Sequence, residues 1–244
     1  MIVLLLAATS AIAKPLARHH AEQGDELILV GRNQAKLERL AADLTVRGAA
    51  QVQTEVADLA DPEAIAMLMA RCCPENRVPD LTYCFQGVLP DQAQCQSSPE
   101  AALDSIRVNA LGLIALLTPL ANRLEQAGRG TLVVISSVAG DRGRQSNYVY
   151  GSAKALLNTF LEGLRHRLAP KGVTVITVKP GFVDTPMTAE FNKGPLWAQP
   201  DTVAQGILSA VRRRRSEVYV PGYWWAIMAL IKAIPQPLFN RLKL

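Results

Sequence analysis

The sequence predicts an α/β fold: a single doubly wound parallel sheet of about seven strands with helices on both faces. Three observations predict it. Short leucine-rich or β-branched runs alternate with longer segments of helical period along the whole chain. A small or polar residue closes or follows each of the first six runs: Ala7, Gly31, Asp58, Gly87, Ser137 and Pro180. No repeat, low-complexity tract or Pro/Gly-rich linker divides the 244 residues.

Taken in order, the first strand (1–6) is the leucine run before Ala7, and a turn from Ala7 to Ala13 leads into a helix over 11–23. The run at 26–30 ends at Gly31-Arg32-Asn33 and opens a helix over 33–46. The third strand (51–55) precedes Asp58 and a helix over 61–72; the fourth (80–84) precedes Gly87 and a long apolar helix over 99–127. The fifth (131–135) runs into Ser136-Ser137 and a helix over 147–169. The sixth (173–178) ends at Pro180-Gly181, a helix follows over 201–213, and the seventh strand is 217–220. In such sheets ligands sit at the carboxyl ends of the strands, near the switch in strand order. The residues after the strands therefore mark the expected site. The chain divides into one large α/β domain, 1–221, where the expected site lies, and an apolar and basic extension, 222–244.

Composition is ordinary for a globular chain, 49% hydrophobic and 19% charged. Met1 to Ala13 imitates a signal peptide, but no Lys or Arg precedes the apolar run, so it reads as a buried strand of a cytoplasmic protein. Cys72, Cys73, Cys84 and Cys95 lack metal-ligand spacing, and adjacent Cys72 and Cys73 would pair only under strain. His19, His20 and His166 are equally scattered, so no metal site is expected. The net charge of +5 is concentrated at one end. From residue 212 on, seven basic residues (Arg212 to Arg215, Lys232, Arg241, Lys243) face one acid, Glu217. No nucleic-acid-binding motif accompanies the arginine run, so no nucleic-acid partner is expected.

The stretch richest in chemistry is Ser136-Ser137 followed by Tyr150-Gly151-Ser152-Ala153-Lys154. Tyrosine and lysine four apart share a helix face. A free phenol titrates near pH ~10, and a nearby ammonium favours phenolate, pulling that value towards the working range. Ser137 adds a hydroxyl that can bond the same substrate oxygen. The set suits hydride transfer to a ketone or from an alcohol. Ser136 and Tyr148 are decoys: Tyr148 has Ser152, not lysine, four residues on.

With Asp58, Asn109 and Pro180-Gly181-Phe182-Val183-Asp184-Thr185 in order around that block, the chain resembles the short-chain dehydrogenase/reductase family from end to end. The resemblance implies a Rossmann-type fold, a homo-oligomer and a catalytic tetrad of Asn109, Ser137, Tyr150 and Lys154. Lys154 would also hold the nicotinamide ribose, and Asn109 a water for proton return. In the cofactor turn the family's glycines are replaced by Ala7, Ala11 and Ala13, leaving Thr9 and Ser10 to cap the helix and donate to phosphate, with Ile12 beside them. Arg32, helped by Lys14, argues for NADP(H) over NAD(H), since arginine there accommodates the 2′-phosphate. The resemblance also gives Asp58 the adenine amine and Thr185 the nicotinamide carboxamide, and places Pro180, Gly181 and Val183 along the nicotinamide. Of the family's Asn-Asn-Ala-Gly only Gly87 remains.

Residues 136–154, 180–187 and 234–242 look like the decaprenylphosphoryl-2-keto-ribose reductase branch, which reduces a 2-keto pentose carried on a polyprenyl phosphate. Arg142 and Arg144 would then face the substrate phosphate or, equally, solvent. The uncharged run 218–231, with Trp224 and Trp225, is too short to span a bilayer but suits a segment lying on an anionic membrane surface. Such a protein would lie peripherally at the inner face of the membrane. Covering the substrate pocket or a subunit contact is the other reading. A reductase of free small-molecule ketones, or a non-catalytic nucleotide-binding scaffold, are the alternatives to a lipid-linked substrate.

Overall fold

Seven parallel strands make one sheet in the order β3-β2-β1-β4-β5-β6-β7 in a computed structural model that describes residues 1–74 and 77–242. Lys243 lies outside the described residues. The strands are β1 (Ile2–Leu6), β2 (Glu26–Gly31), β3 (Gln51–Val56), β4 (Leu81–Cys84), β5 (Gly130–Ile135), β6 (Val173–Pro180) and β7 (Glu217–Val220). The helices are α1 (Ala13–Glu22), α2 (Gln34–Val46), α3 (Pro62–Cys72), α4 (Gln92–Ser97), α5 (Pro99–Ile106), α6 (Gly112–Ala127), α7 (Tyr148–Leu168), α8 (Pro200–Arg212), α9 (Tyr223–Ala233) and α10 (Gln236–Phe239).

The period of two along each strand splits the core in two. From β1, Val3 and Leu5 point into a layer with α1, α2 and α8, while Leu4 and Leu6 point into one with α3, α6 and α7. Each of these side chains is fully buried, a gain of roughly 1.5–3 kcal/mol apiece. The strand order reverses between β1 and β4, so the carboxyl ends of these two strands open the crevice where ligands sit.

The helix expected over 99–127 is interrupted. A π-turn over Arg107–Leu111 separates α5 from α6, with buried Asn109 inside it. The Asn109 side chain explains the break: Nδ2 donates to the Ser105 carbonyl at 3.0 Å, while Oδ1 accepts from the Val88 amide at 3.0 Å. One widened turn lets the side chain serve both its own helix and the segment after β4. The stretch Pro99–Ala127 is long and apolar enough by composition to cross a bilayer. Its Leu113, Leu116, Leu117, Leu120 and Leu124 are nevertheless fully buried against the sheet and α3 and α7.

Three helices lie outside the expected ones. The short α4 is started by Asp91, whose carboxylate accepts from the Ala93 amide at 2.8 Å. The extension folds into α9 and α10, and buried Trp224 and Met228 pack on Val138 and Tyr219. α9 therefore lies beside the loop that follows β5.

Candidate active site

The loop after β5 holds Ser137 at the start of a single 3₁₀ turn, Val138–Gly140, where its Oγ accepts from the Ala139 amide at 3.1 Å. The first turns of α7 bring Tyr150 beside it and bury Lys154 behind. Lys154 Nζ donates to the Ile135 carbonyl at 3.3 Å and lies 5.7 Å from the centre of the Tyr150 ring. Any side chain at Gly87 would start 3.1 Å from Asn109 Oδ1 and 3.3 Å from Lys154 Nζ. Asn109, Lys154 and the backbone at Gly87 thus converge, and a side chain at Gly87 would press on both polar groups. Ser136, by contrast, points away and donates to Asn158 Oδ1 at 2.5 Å.

Electrostatics differ from the expectation that Lys154 governs the phenol. Burial pushes the Tyr150 phenol up to about 12, and contact with the Ser137 hydroxyl acts the other way. Burial also lowers the Lys154 ammonium to about 8, with buried Cys84 opposing the fall. Taking both groups out of water disfavours phenolate and ammonium alike, and this outweighs their attraction across the ring. At neutral pH Tyr150 is a protonated donor, backed by a lysine poised to release its own proton.

The serine loop is held from below by residues the sequence reading did not single out. Buried Lys179 of β6 bridges Asp141 and Glu217, each at 2.8 Å, and the Tyr219 hydroxyl donates to Asp141 at 2.6 Å. Burial and the adjacent Asp141 carboxylate hold the Tyr219 phenol far above its usual range, so it stays a donor. A polar residue in the last strand-pair before the rim was the available signal, because such a charge must find partners.

At the cofactor end the turn after β1 departs from the predicted capping. The residue before α1 is Ile12, without a side-chain cap, and it is the Ser10 carbonyl that accepts from the Ala13 and Lys14 amides, at 3.1 and 3.3 Å. Thr9 and Ser10 do not cap because the chain turns too early, with Ala7 at a left-handed φ of 59°. Among the described residues the amides of Thr9, Ala11 and Ile12 have no acceptor. Three free N–H groups at the start of a ten-residue helix suit a diphosphate.

Arg32 is exposed directly after β2, Asn33 caps α2 by accepting from the Lys36 amide at 2.9 Å, and Lys14 is exposed in the first turn of α1. Asp58 is exposed after β3 with one carboxylate oxygen on the Ala60 amide at 3.0 Å. Pro180 ends β6, and the Trp224 indole fills the space a side chain at Gly181 would need. Val183 bridges to Ala198, tying down the loop beyond. Thr185 forms a capping box with Thr188, their hydroxyls 3.4 Å apart.

Arg142 takes neither of the two expected places, the substrate phosphate or open solvent. Its guanidinium donates to the carbonyls of Ile231 and Ile234 and to Gln236, and stacks 3.7 Å over the Phe239 ring. It clasps the extension onto the loop. Arg144 is buried.

A family model described as short chain dehydrogenase matches residues 1–196. An uncharacterised oxidoreductase of Streptomyces coelicolor is 36% identical over 241 residues, 98% of this chain and 95% of that protein. Another, from Mycobacterium tuberculosis, is 36% identical over 232 residues, 95% of this chain and 92% of its own length. A solved short-chain dehydrogenase from Sphingobium yanoikuyae, in complex with NADPH, superposes with a TM-score of 0.84 at 27% identity, covering 96% of each chain.

Proposed function

As the chain belongs to the short-chain dehydrogenase family and is an NAD(P)-dependent oxidoreductase, we propose that it uses NADPH to reduce a ketone to a secondary alcohol. The observation that carries this reading is the convergence of Ser137, Tyr150, Lys154 and Asn109 at the crevice, with Tyr150 held as a protonated phenol. The residues present fit the cofactor. The amides of Thr9, Ala11 and Ile12 would meet the diphosphate, Arg32 the 2′-phosphate, Asp58 the adenine amine, and Lys154 the nicotinamide ribose. Gly87, Gly181, Val183 and Thr185 would line the nicotinamide.

Bound NADPH would supply the hydride. Ser137 positions the carbonyl oxygen by donating its hydroxyl proton to it, and Tyr150 transfers its proton to that oxygen as charge develops. The ammonium of Lys154, lowered to about 8, returns a proton towards the phenol and stabilises the phenolate left behind. Asn109 is fixed by three polar contacts, which keeps its amide in one orientation behind Lys154.

For the substrate we favour a 2-keto sugar on a polyprenyl phosphate. Support comes from the resemblance at 136–154, 180–187 and 234–242, and from the face of α9 and α10 that leaves Trp225, Leu230 and Leu238 exposed beside Lys232 and Arg241. Such a face suits the surface of an anionic membrane. A free apolar ketone is the second reading. Phe182 and Trp197 stack at 5.4 Å and Trp224 meets Phe182 edge-on at 5.1 Å, an aromatic wall that would suit it.

The test is titration with NADPH and NADH followed by tryptophan fluorescence, then turnover with each ketone class. Binding of NADPH in preference to NADH with reduction of either class supports the reading. Absence of binding by both nucleotides overturns it and favours a non-catalytic scaffold.

A further inference from the structure

We propose that the pocket between residues 143–148 and α10 binds an oxyanion, a carboxylate or phosphate, carried by the substrate at its end remote from the ketone. The inference rests on the reductase reading. The pocket has a volume of about 330 Å³ and is lined by Arg144, Gln145, Tyr148, Gln236, Phe239 and Asn240. One wall, residues 143–148, belongs to the segment that joins Ser137 to Tyr150, which puts the pocket on the same loop as the proposed reacting hydroxyls.

Arg144 carries the argument. It is only 9% exposed, and among the described residues its side chain makes neither an ion pair nor a hydrogen bond; its Nε is buried and unpartnered. Buried guanidinium groups are costly unless an anion meets them. The nearby acid is already engaged: Asp141 is taken by Lys179 at 2.8 Å and by the Tyr219 hydroxyl at 2.6 Å. Burial lowers the Arg144 guanidinium from its usual range, and the distant pull of Asp141 only partly opposes this.

Two arginines two residues apart therefore have different tasks. Arg142 fixes the far wall through the carbonyls of Ile231 and Ile234 and the Phe239 ring. Arg144 is left with its donors unspent, and a planar guanidinium matches two oxygens of a carboxylate or phosphate. On the opposite wall Gln236 Nε2 donates to Asn240 Oδ1 at 2.8 Å, which leaves the Asn240 amide free to donate.

The experiment compares wild type with Arg144→Met and Arg144→Lys by thermal melting in a chloride buffer, each saturated with NADPH so that the cofactor site cannot report. Without added anion, Arg144→Met should melt at or above the wild-type temperature, because it removes an uncompensated buried charge. Inorganic phosphate should raise the melting temperature of wild type, less that of Arg144→Lys, and not that of Arg144→Met. Repeating the series with acetate, and with phosphatidylcholine vesicles carrying a prenyl phosphate, separates a soluble acid from a lipid-borne one. A shift confined to proteins with a cation at position 144 supports the pocket in either case. A lower melting temperature for Arg144→Met in the absence of anion, or equal anion shifts in all three proteins, overturns it.

In turnover, Arg144→Met should raise KM for a phosphorylated ketone at least tenfold and leave kcat/KM for a neutral ketone unchanged. Equal losses on both ketones also overturn the pocket. Failure of wild type to reduce any ketone sinks the reductase reading instead, while the anion shifts still decide the pocket.

Discussion

In the proposed function the turn after β1 would meet its ligand through backbone amides, whereas the first turns of α7 would act through individual side chains, and the two regions accept departures differently. Ala7 holds a left-handed φ of 59° at a position suited to glycine, a strain of roughly 1–2 kcal/mol, yet the free amides of Thr9, Ala11 and Ile12 are still presented. In α7 the proposed function leaves no such latitude, because the Tyr150 phenol and the Lys154 ammonium would themselves be the reagents. A site made of main chain can carry the wrong side chains at the expense of strain; a site made of side chains cannot.

The sharpest way to break that comparison is Tyr150→Phe, which removes one oxygen and leaves the fold intact. Turnover should fall ~10²–10⁴-fold with NADPH affinity preserved. Retention of more than about a tenth of wild-type turnover would refute the role given to Tyr150.

Next in size is Lys154, whose burial destabilises the fold in a pH-dependent way. Below pH 8 both folded and unfolded chains carry the ammonium, and the cost of burying it is felt in full. Between pH 8 and the ordinary value of 10.5 the folded chain has lost a proton that the unfolded chain keeps, so stability rises with pH. Lys154→Met should abolish turnover yet stabilise the protein at pH 7 by about 3 kcal/mol, and this gain should disappear by about pH 10.5. A stability gain independent of pH in chemical denaturation would show that folding leaves the proton affinity of Lys154 unchanged, and would remove the cost assigned to its burial.

In the cofactor half, effects should be smaller and fall on binding. Arg32→Ala should weaken NADPH about 10–100-fold and leave NADH unchanged, as expected for a hydrogen bond between charged groups worth ~1.5–3 kcal/mol. Equal weakening of both nucleotides would remove Arg32 from the 2′-phosphate. The smallest change is Ala7→Gly, which should stabilise the protein by about 1 kcal/mol by relieving the positive φ. A loss of stability in urea would mean that the Ala7 methyl group packs usefully, overriding its backbone strain.

Much of this was legible in the sequence, for a physical reason. Strands buried on both faces are apolar runs, and β1, β2, β4 and β5 fall within a residue of where those runs lie. The Tyr150 and Lys154 pair depends only on helical spacing. What could not be read depends on long-range company. The π-turn at Asn109 leaves the apolar period of 99–127 undisturbed, and its cause is the Val88 amide, 21 residues away. Arg142 and Arg144 look interchangeable in sequence, and only contacts 89 to 94 residues distant tell the clasp from the unpartnered cation. Burial of Tyr150 and Lys154 reversed the expected direction for the phenol, because desolvation is a property of the assembled core.

The clasp between Arg142 and the extension also sets an order of manufacture. Everything that would hold nucleotide, from Ala7 to Thr185, leaves the ribosome before Trp224 can cover Gly181 or Phe239 can slide under Arg142. On the proposed reading, the parts that would hold nucleotide are therefore made before the parts that would enclose a substrate, and choosiness is the last trait that synthesis would install.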